Sequence, residues 1–278
     1  MLVRLVDGAD GEAAYRALVE ADQALTRIRA HGTDGEYFHE YSRWAVDQAR
    51  LLRSQIRLQH VEQLIFTPRH TVLQSLQYGA PHLRLLTSAE IEERHSALAG
   101  AATELRRELD SWTDAGALIV PDTNVFLRHR EKFDEIPWTG LAGAGGPVTV
   151  VVPVVILGEL DRQKYAGRKD QLRWRASYSL SRIDTLYGDK TVAGERPELN
   201  AAGPVRLRVV ADRLGHRPLE RADDEIIDQA LAVRERSGRL VTLATFDTNM
   251  AFSARQTGLR VVKLAEADLN DDFKAPKP

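Results

Sequence analysis

The sequence has no cysteine in its 278 residues and only two methionines. Without cysteine there can be no disulfide scaffold, iron–sulfur cluster, thiolate zinc site or cysteine nucleophile, and the composition fits a reducing compartment. Histidine is sparse. The eight present are scattered and no two lie four apart, so a zinc site built on one helix face has no support. No basic segment followed by an apolar run opens the chain, and no stretch approaches the roughly 18 apolar residues of a membrane-spanning helix. The expectation is a cytoplasmic protein with no membrane contact. Lysine is absent from the first 114 residues, which carry 13 arginines and 17 acidic groups, whereas the other 164 carry 25 basic and 23 acidic groups. The overall charge of −2 argues against wholesale coating of nucleic acid but allows a local basic patch. Arginine dominates lysine throughout, which reads as the coding bias of a G+C-rich, bacterial genome and not as a binding signal.

The first 114 residues are patterned as helices. From Gly11 to Ala30, the apolar positions Ala14, Leu18, Ala21, Leu25 and Ile28 recur in steps of four and three, which predicts one helix face. After the break at His31–Gly35, Tyr37, Trp44, Leu51 and Leu58 recur every seven residues with Tyr41 between the first two, giving an α-hairpin. Between 61 and 86, Pro68, Gly79 and Pro81 interrupt the pattern, and Val72–Leu76 suits either a strand or a helical turn. Thr87-Ser-Ala-Glu90 fits a capping box, with Ile91, Leu98, Ala102, Leu105, Leu109 and Trp112 continuing at helical spacing. Aromatic stripes of this kind are core, since burial of such a face is what stabilises a helix. This part predicts an all-α module, residues 1–114, with no visible chemistry.

Asp114-Ala-Gly116 marks a boundary, beyond which strands and helices alternate. Strands are expected at 117–121, 148–152, 205–210, 240–245 and 259–263, and helices at 154–165, 170–187, 222–237 and 248–257. Such alternation implies an α/β domain, about 115–268, with a doubly wound parallel sheet, right-handed crossovers and helices on both faces. Residues 269–278 are expected to be a loose tail.

In open parallel sheets the site forms at the carboxyl ends of the strands. There the chain places Asp122, Thr123 and Asn124 after the first strand, Glu159 on the helix entered through Pro153, Asp223 and Asp224 at the head of a helix, and Asp247 in a second Asp-Thr-Asn ending at Asn249. Each has a plainer reading. Asp122 and Asp247 suit N-caps, while Glu159 and one of the two aspartates suit the dipole of a first helical turn. Asp223-Asp-Glu225 exceeds what capping needs, and the recurrence of acids at matching strand ends raises the alternative. Gathered without a cation, these carboxylates would repel and raise each other's pKa values. An oxygen-only donor set suits Mg²⁺ or Mn²⁺, and such an ion activates water and screens a phosphodiester. Next to Glu159 runs a basic stretch, Arg162, Lys164, Arg168, Lys169, Arg173 and Arg175 against Asp170 alone, with Tyr165 and Trp174 interleaved. It reads either as a nucleic-acid track with stacking aromatics or as a solvated helix face with one aromatic turned to the core.

Val120-Pro-Asp-Thr-Asn-Val-Phe-Leu127 and Val152-Pro-x-Val-x-Leu-x-Glu-Leu-Asp-x-x-Lys164 resemble the motifs of PIN-domain ribonucleases, a likeness that extends over about 117–264. The resemblance implies a sheet in the order 3-2-1-4-5 and Mg²⁺- or Mn²⁺-dependent cleavage of single-stranded RNA. It sets the metal-binding acids at Asp122, Glu159, Asp223 and Asp247, with Asp224 as an alternative to Asp223, and a small polar residue at Thr245. Thr123, Asn124 and Asn249 are auxiliary polar candidates, and Arg162, Lys164, Arg168, Lys169 and Arg173 are RNA-binding candidates. Other readings are a non-catalytic RNA-binding scaffold and a toxin-type ribonuclease, although the N-terminal extension argues for a specificity or dimerisation module. Homo-oligomerisation through either part stays open. A dehalogenase-type phosphatase needs an aspartate where Asn124 stands.

Overall fold

The computed structural model of the chain describes residues 3–6, 9–28, 32–76, 80–165, 170–188, 195–199, 204–212 and 216–271. It divides into two compact units: Met1–Trp112 with Glu235–Gly238, and Thr113–Arg234 with Arg239–Pro278. Among the described residues no helix is long and apolar enough to cross a membrane.

The first unit is helical: α1 (Gly11–Thr26), α2 (Asp34–Leu52), α3 (Leu58–Ile65), α4 (Pro68–Ser75) and α5 (Leu83–Asp110). Asp10 caps α1 by accepting the Glu12 amide, and Thr33 with Glu36 forms a capping box on α2. Ala14, Leu18, Ala21 and Leu25 are fully buried, as the α1 spacing predicts. On α2 the seven-residue reading holds for Tyr37 and Trp44 and then fails, because Leu51 and Leu58 are exposed. A straight helix drifts by about 20° per seven residues, so the buried face passes to Tyr41, Ala45, Ala49 and Leu52, and Leu58 begins α3. Val72–Leu76 resolves as the end of α4 and its cap.

The capping box expected at Thr87 is not formed. Helix α5 starts a turn earlier, after His82 at φ 70°. The Thr87 hydroxyl donates back to the Leu83 carbonyl at 2.8 Å, and Glu90 is buried against Arg94, with Nε to Oε1 3.1 Å. Thr67 donates to the same oxygen at 2.6 Å.

The second unit runs β1 (Ala117–Pro121), α6 (Thr123–Arg128), α7 (Trp138–Ala142), β2 (Val148–Pro153), α8 (Val154–Tyr165), α9 (Asp170–Tyr187), β3 (Val205–Val210), α10 (Ala222–Ser237), β4 (Val241–Thr245), α11 (Thr248–Gln256) and β5 (Arg260–Lys263). The sheet is parallel throughout, in the order β3-β2-β1-β4-β5, with helices around it. All residues of β2 and β4 are buried, which is why these strands read as near-continuous apolar runs, broken only by Thr149, Thr242 and Thr245, and not as alternating ones. Pro121 and Pro153 each close a strand, where a missing N–H interrupts the fewest ladder bonds. The expected loose tail is in part tied down. The Asn270 amide donates to the Arg128 carbonyl at 2.9 Å and the Arg130 amide to that of Asp268 at 2.8 Å, while residues 272–278 lie outside the described residues.

The winding fixes where a site can form. From β1 the chain moves outward through β2 to β3, then returns to place β4 on the other side of β1. Strand order reverses between β1 and β4, and the crevice at the carboxyl ends of those two strands is where ligands of doubly wound sheets bind.

Candidate active site

Asp122 and Asp247 are the residues just beyond the β1 end and just past the β4 end. Asp122 continues the ladder by one bond, its amide donating to the Ala244 carbonyl at 2.8 Å. Its carboxylate is buried, 1% exposed. One oxygen accepts the Asn124 amide at 3.0 Å, which makes Asp122 the N-cap of α6, and the other accepts the Thr245 hydroxyl at 2.8 Å. The capping role and a place in the site therefore coexist. Burial pushes the carboxyl above the usual carboxylate range. The bonds from Asn124 and Thr245 oppose this, and the negative charge of Asp223 adds to it.

Thr245, fully buried, also accepts the Asp247 amide at 2.9 Å, so a single hydroxyl joins the two strand-end acids. Asp247 itself is exposed and caps α11 through the Met250 amide at 2.7 Å. Asn249 is exposed. The Lys263 ammonium donates to the Phe246 carbonyl beside it.

Glu159, half-buried on the second turn of α8, accepts the Thr123 hydroxyl at 2.5 Å. This joins β2's following helix to the end of β1, a role for Thr123 that the local sequence did not reveal. Gly158 faces open space, so the glycine relieves no clash within the chain.

Asp223 and Asp224 lie in the first turn of α10 with Arg221 3.8 and 3.9 Å away respectively. The Asp223 carboxyl is pushed up by burial first and next by Asp247, with Glu159 and Asp224 contributing and Arg221 opposing. Of the paired aspartates it is Asp223 whose charge registers at Asp122. Glu225 belongs elsewhere. It is buried and accepts from the Leu219 amide at 2.8 Å, from Gln229 at 2.8 Å and from His216 at 2.7 Å. Burial alone would raise its pKa, and these bonds together bring it below the ordinary range.

Asp223 is thus the common neighbour: Asp247 and Glu159 act on it, and it acts on Asp122. Among the described residues, no three of Asp, Glu or His come close enough as placed to hold an ion. Asp122 and Glu159 are each turned to a threonine. The donor set is oxygen only, which suits a hard dication.

The basic stretch sorts by burial. Arg162 and Arg173 are exposed and Lys164 is half-buried, with Arg173 Nε donating to the Lys164 carbonyl at 3.3 Å. Arg168 and Lys169 lie outside the described residues. Arg175 is removed from the track: it is buried, and its guanidinium donates to the Glu131 and Arg130 carbonyls at 2.7 and 3.0 Å. Neither aromatic of the stretch turns to the core, since Tyr165 is 72% and Trp174 50% exposed.

A family model for the PIN domain matches residues 119–265, a little over half of the chain. No curated protein matches it.

Proposed function

Because this chain belongs to the PIN-domain family, whose fold is that of nucleases, we propose that it is a metal-dependent endoribonuclease hydrolysing phosphodiester bonds of single-stranded RNA. The observation that carries this reading is the crowding of acids around Asp223, beside Arg221 at the head of α10: its carboxyl is raised by Asp247 and Glu159, and its charge in turn raises the buried Asp122 at the end of β1. Acids from the ends of β1 and β4 and from α8 and α10 thus bring negative charge to the neighbourhood of Asp223, more than capping of α6 and α11 requires.

Asp122, Glu159, Asp223 and Asp247 would hold Mg²⁺ or Mn²⁺, with Asp224 beside them. When bound, such an ion supplies an acidified water and screens the charge of the phosphodiester. The chain's own contribution is positional. Thr245 orients Asp122 through its hydroxyl, Thr123 orients Glu159, and Asn124 lies beside the Asp122 carboxylate, its side-chain amide 3.5 Å away. The exposed Arg162 and Arg173, with Lys164, offer positive charge to the RNA backbone along α8 and α9.

The test is cleavage of single-stranded RNA by the purified protein in Mn²⁺ or Mg²⁺. Asp122→Asn should reduce it by about two orders of magnitude or more, since one lost charge-stabilising group in a site is worth on that order. Undiminished Mn²⁺-dependent cleavage by the variant would remove the assignment. RNA binding without turnover in any divalent metal would replace it with a non-catalytic scaffold.

A further inference from the structure

We propose that Trp174 and Tyr178 form a base-stacking platform that receives the single-stranded nucleic acid and presents it toward the carboxylate crevice. This rests on the nuclease reading above for the direction of the strand but not for the platform itself. The two rings are one turn apart on α9 and stack with centroids 5.4 Å apart and planes 22° from parallel. Four residues along a helix is the spacing that sets side chains one above the other.

Two features separate this pair from an incidental surface aromatic. The first is exposure: the other three tryptophans, Trp44, Trp112 and Trp138, are 6%, 1% and 0% exposed, whereas Trp174 leaves half of its surface in water. The second is that the exposed ring rests on a fixed one. The Tyr178 hydroxyl donates to the Asp134 carboxylate, 3.0 Å from each oxygen, and Arg182 pairs with the same carboxylate at 3.1 Å. A ring held in place before its ligand arrives loses little freedom on binding.

The charge around the pair selects the occupant. Lys132, paired with Glu135 at 2.9 Å, lies over the Tyr178 ring at 5.4 Å, and the Arg175 guanidinium lies over the Trp174 ring at 5.9 Å. Arg173, adjacent to Trp174, reaches the Lys164 carbonyl at the end of α8, where Lys164 also lies over the exposed Tyr165 ring at 5.4 Å. Flat rings with cations between them match bases joined by phosphates, and stacking tolerates any base because every base has a π-face. A duplex, whose bases are already stacked on each other, cannot use such rings. Glu159 lies five residues before Lys164 on α8, about 7.5 Å along the helix axis at the standard rise. The end of α8 on which Arg173 rests is therefore about one and a half helical turns from Glu159.

Trp174 is the sole exposed indole among the four, so the full-length protein carries its own probe. Titration with single-stranded oligoadenosine in EDTA, where metal-dependent hydrolysis cannot run, should quench tryptophan fluorescence saturably, and an RNA duplex should not. By anisotropy of labelled oligoadenosine, Trp174→Ala should bind about 10-fold or more weakly, and Trp174→Phe should retain most of the affinity. In Mn²⁺, Trp174→Ala should raise KM for cleavage with kcat within a few-fold. Unchanged affinity of Trp174→Ala, or equal quenching by duplex, would overturn the platform. Cleavage without quenching rejects the platform and keeps the nuclease. Quenching without cleavage in any metal rejects the nuclease and keeps the platform.

Discussion

The Thr245 hydroxyl donates a hydrogen bond to the Asp122 carboxylate at 2.8 Å, across the β4–β1 boundary at which the strand order reverses. The same oxygen accepts the Asp247 amide. Thr245→Val keeps the shape of the side chain and removes both bonds. It leaves a buried carboxylate short of one donor and an amide short of its acceptor, which should cost about 1–3 kcal/mol of stability. The Asp122 carboxyl, already raised by burial, should rise further, and Mn²⁺ should bind more weakly in calorimetric titration. Thr245→Ser should restore both. If Thr245→Val matches the parent in urea unfolding and in metal titration, the hydroxyl is a passive filler of the core.

The buried imidazole of His70 gives the helical unit a pH dependence. The ring sits 3.0 Å from the Tyr41 hydroxyl through Nδ1 and against Phe66 at 5.2 Å between centroids. Burial lowers its pKa first, with Arg94 acting in the same direction and Glu90 in the opposite one. The unfolded ring titrates near 6.5, so on acidification the unfolded chain takes up the proton first. Its contribution is therefore complete above about pH 6.5 and is lost as pH falls toward the lower folded value. Asp122 and Asp223 act in the opposite sense, because the folded chain protonates them first. The comparison that isolates His70 is the change in unfolding free energy between pH 7.5 and 5.5 for the parent and for His70→Gln, which should show the smaller loss. Equal losses would reject the assignment.

The sheet is legible in the sequence because its central strands are buried on both faces and must be written as largely apolar runs, Leu118–Val120, Val148–Val152 and Val241–Leu243, with Thr149 and Thr242 the polar members. The placement of two candidate acids is legible for a related reason: parallel winding puts the carboxyl ends of β1 and β4 side by side, so Asp122 and Asp247, which follow those runs, have a shared destination. What a residue touches is less accessible. Arg175 and Arg173 look alike in a basic stretch, yet one spends its guanidinium on two carbonyls in the interior. Asp134 and Tyr178 are 44 residues apart, and nothing in either neighbourhood marks them as partners. Thr87 and Glu90 have the spacing of a capping box, but Leu83 and Leu86 before them belong to the same helix, which local capping preference cannot override. Period and capping rules report the backbone well and side-chain destinations only where the topology leaves one choice.

Gly116 tests the entrance to the whole α/β unit. It precedes β1 with φ +67°, and a β-carbon built there would lie 1.9 Å from the Pro147 carbonyl oxygen and 2.5 Å from its carbon. That same carbonyl accepts the Ala117 amide at 2.9 Å, the contact that leads into the pairing of Ala117 with Val148. A side chain at 116 thus meets two independent penalties. The left-handed backbone alone costs about 1–2 kcal/mol for a residue with a β-carbon. The clash is with backbone and not with the end of a flexible side chain, so it is relieved only by opening the first β1–β2 bond. Gly116→Ala should lower stability by more than about 2 kcal/mol, and hydrogen exchange should show lost protection beginning at Ala117, whose amide loses the Pro147 carbonyl, while Val148, whose amide donates to Pro204, keeps its own. Gly158→Ala is the control, since its new methyl group meets open space at an exposed position of α8 and should stabilise by about 0.5–1 kcal/mol. Two glycine-to-alanine changes of opposite sign would tie the Gly116 effect to its backbone and its neighbour; a tolerated Gly116→Ala would mean that the start of β1 can shift without disturbing the strand that ends at Asp122.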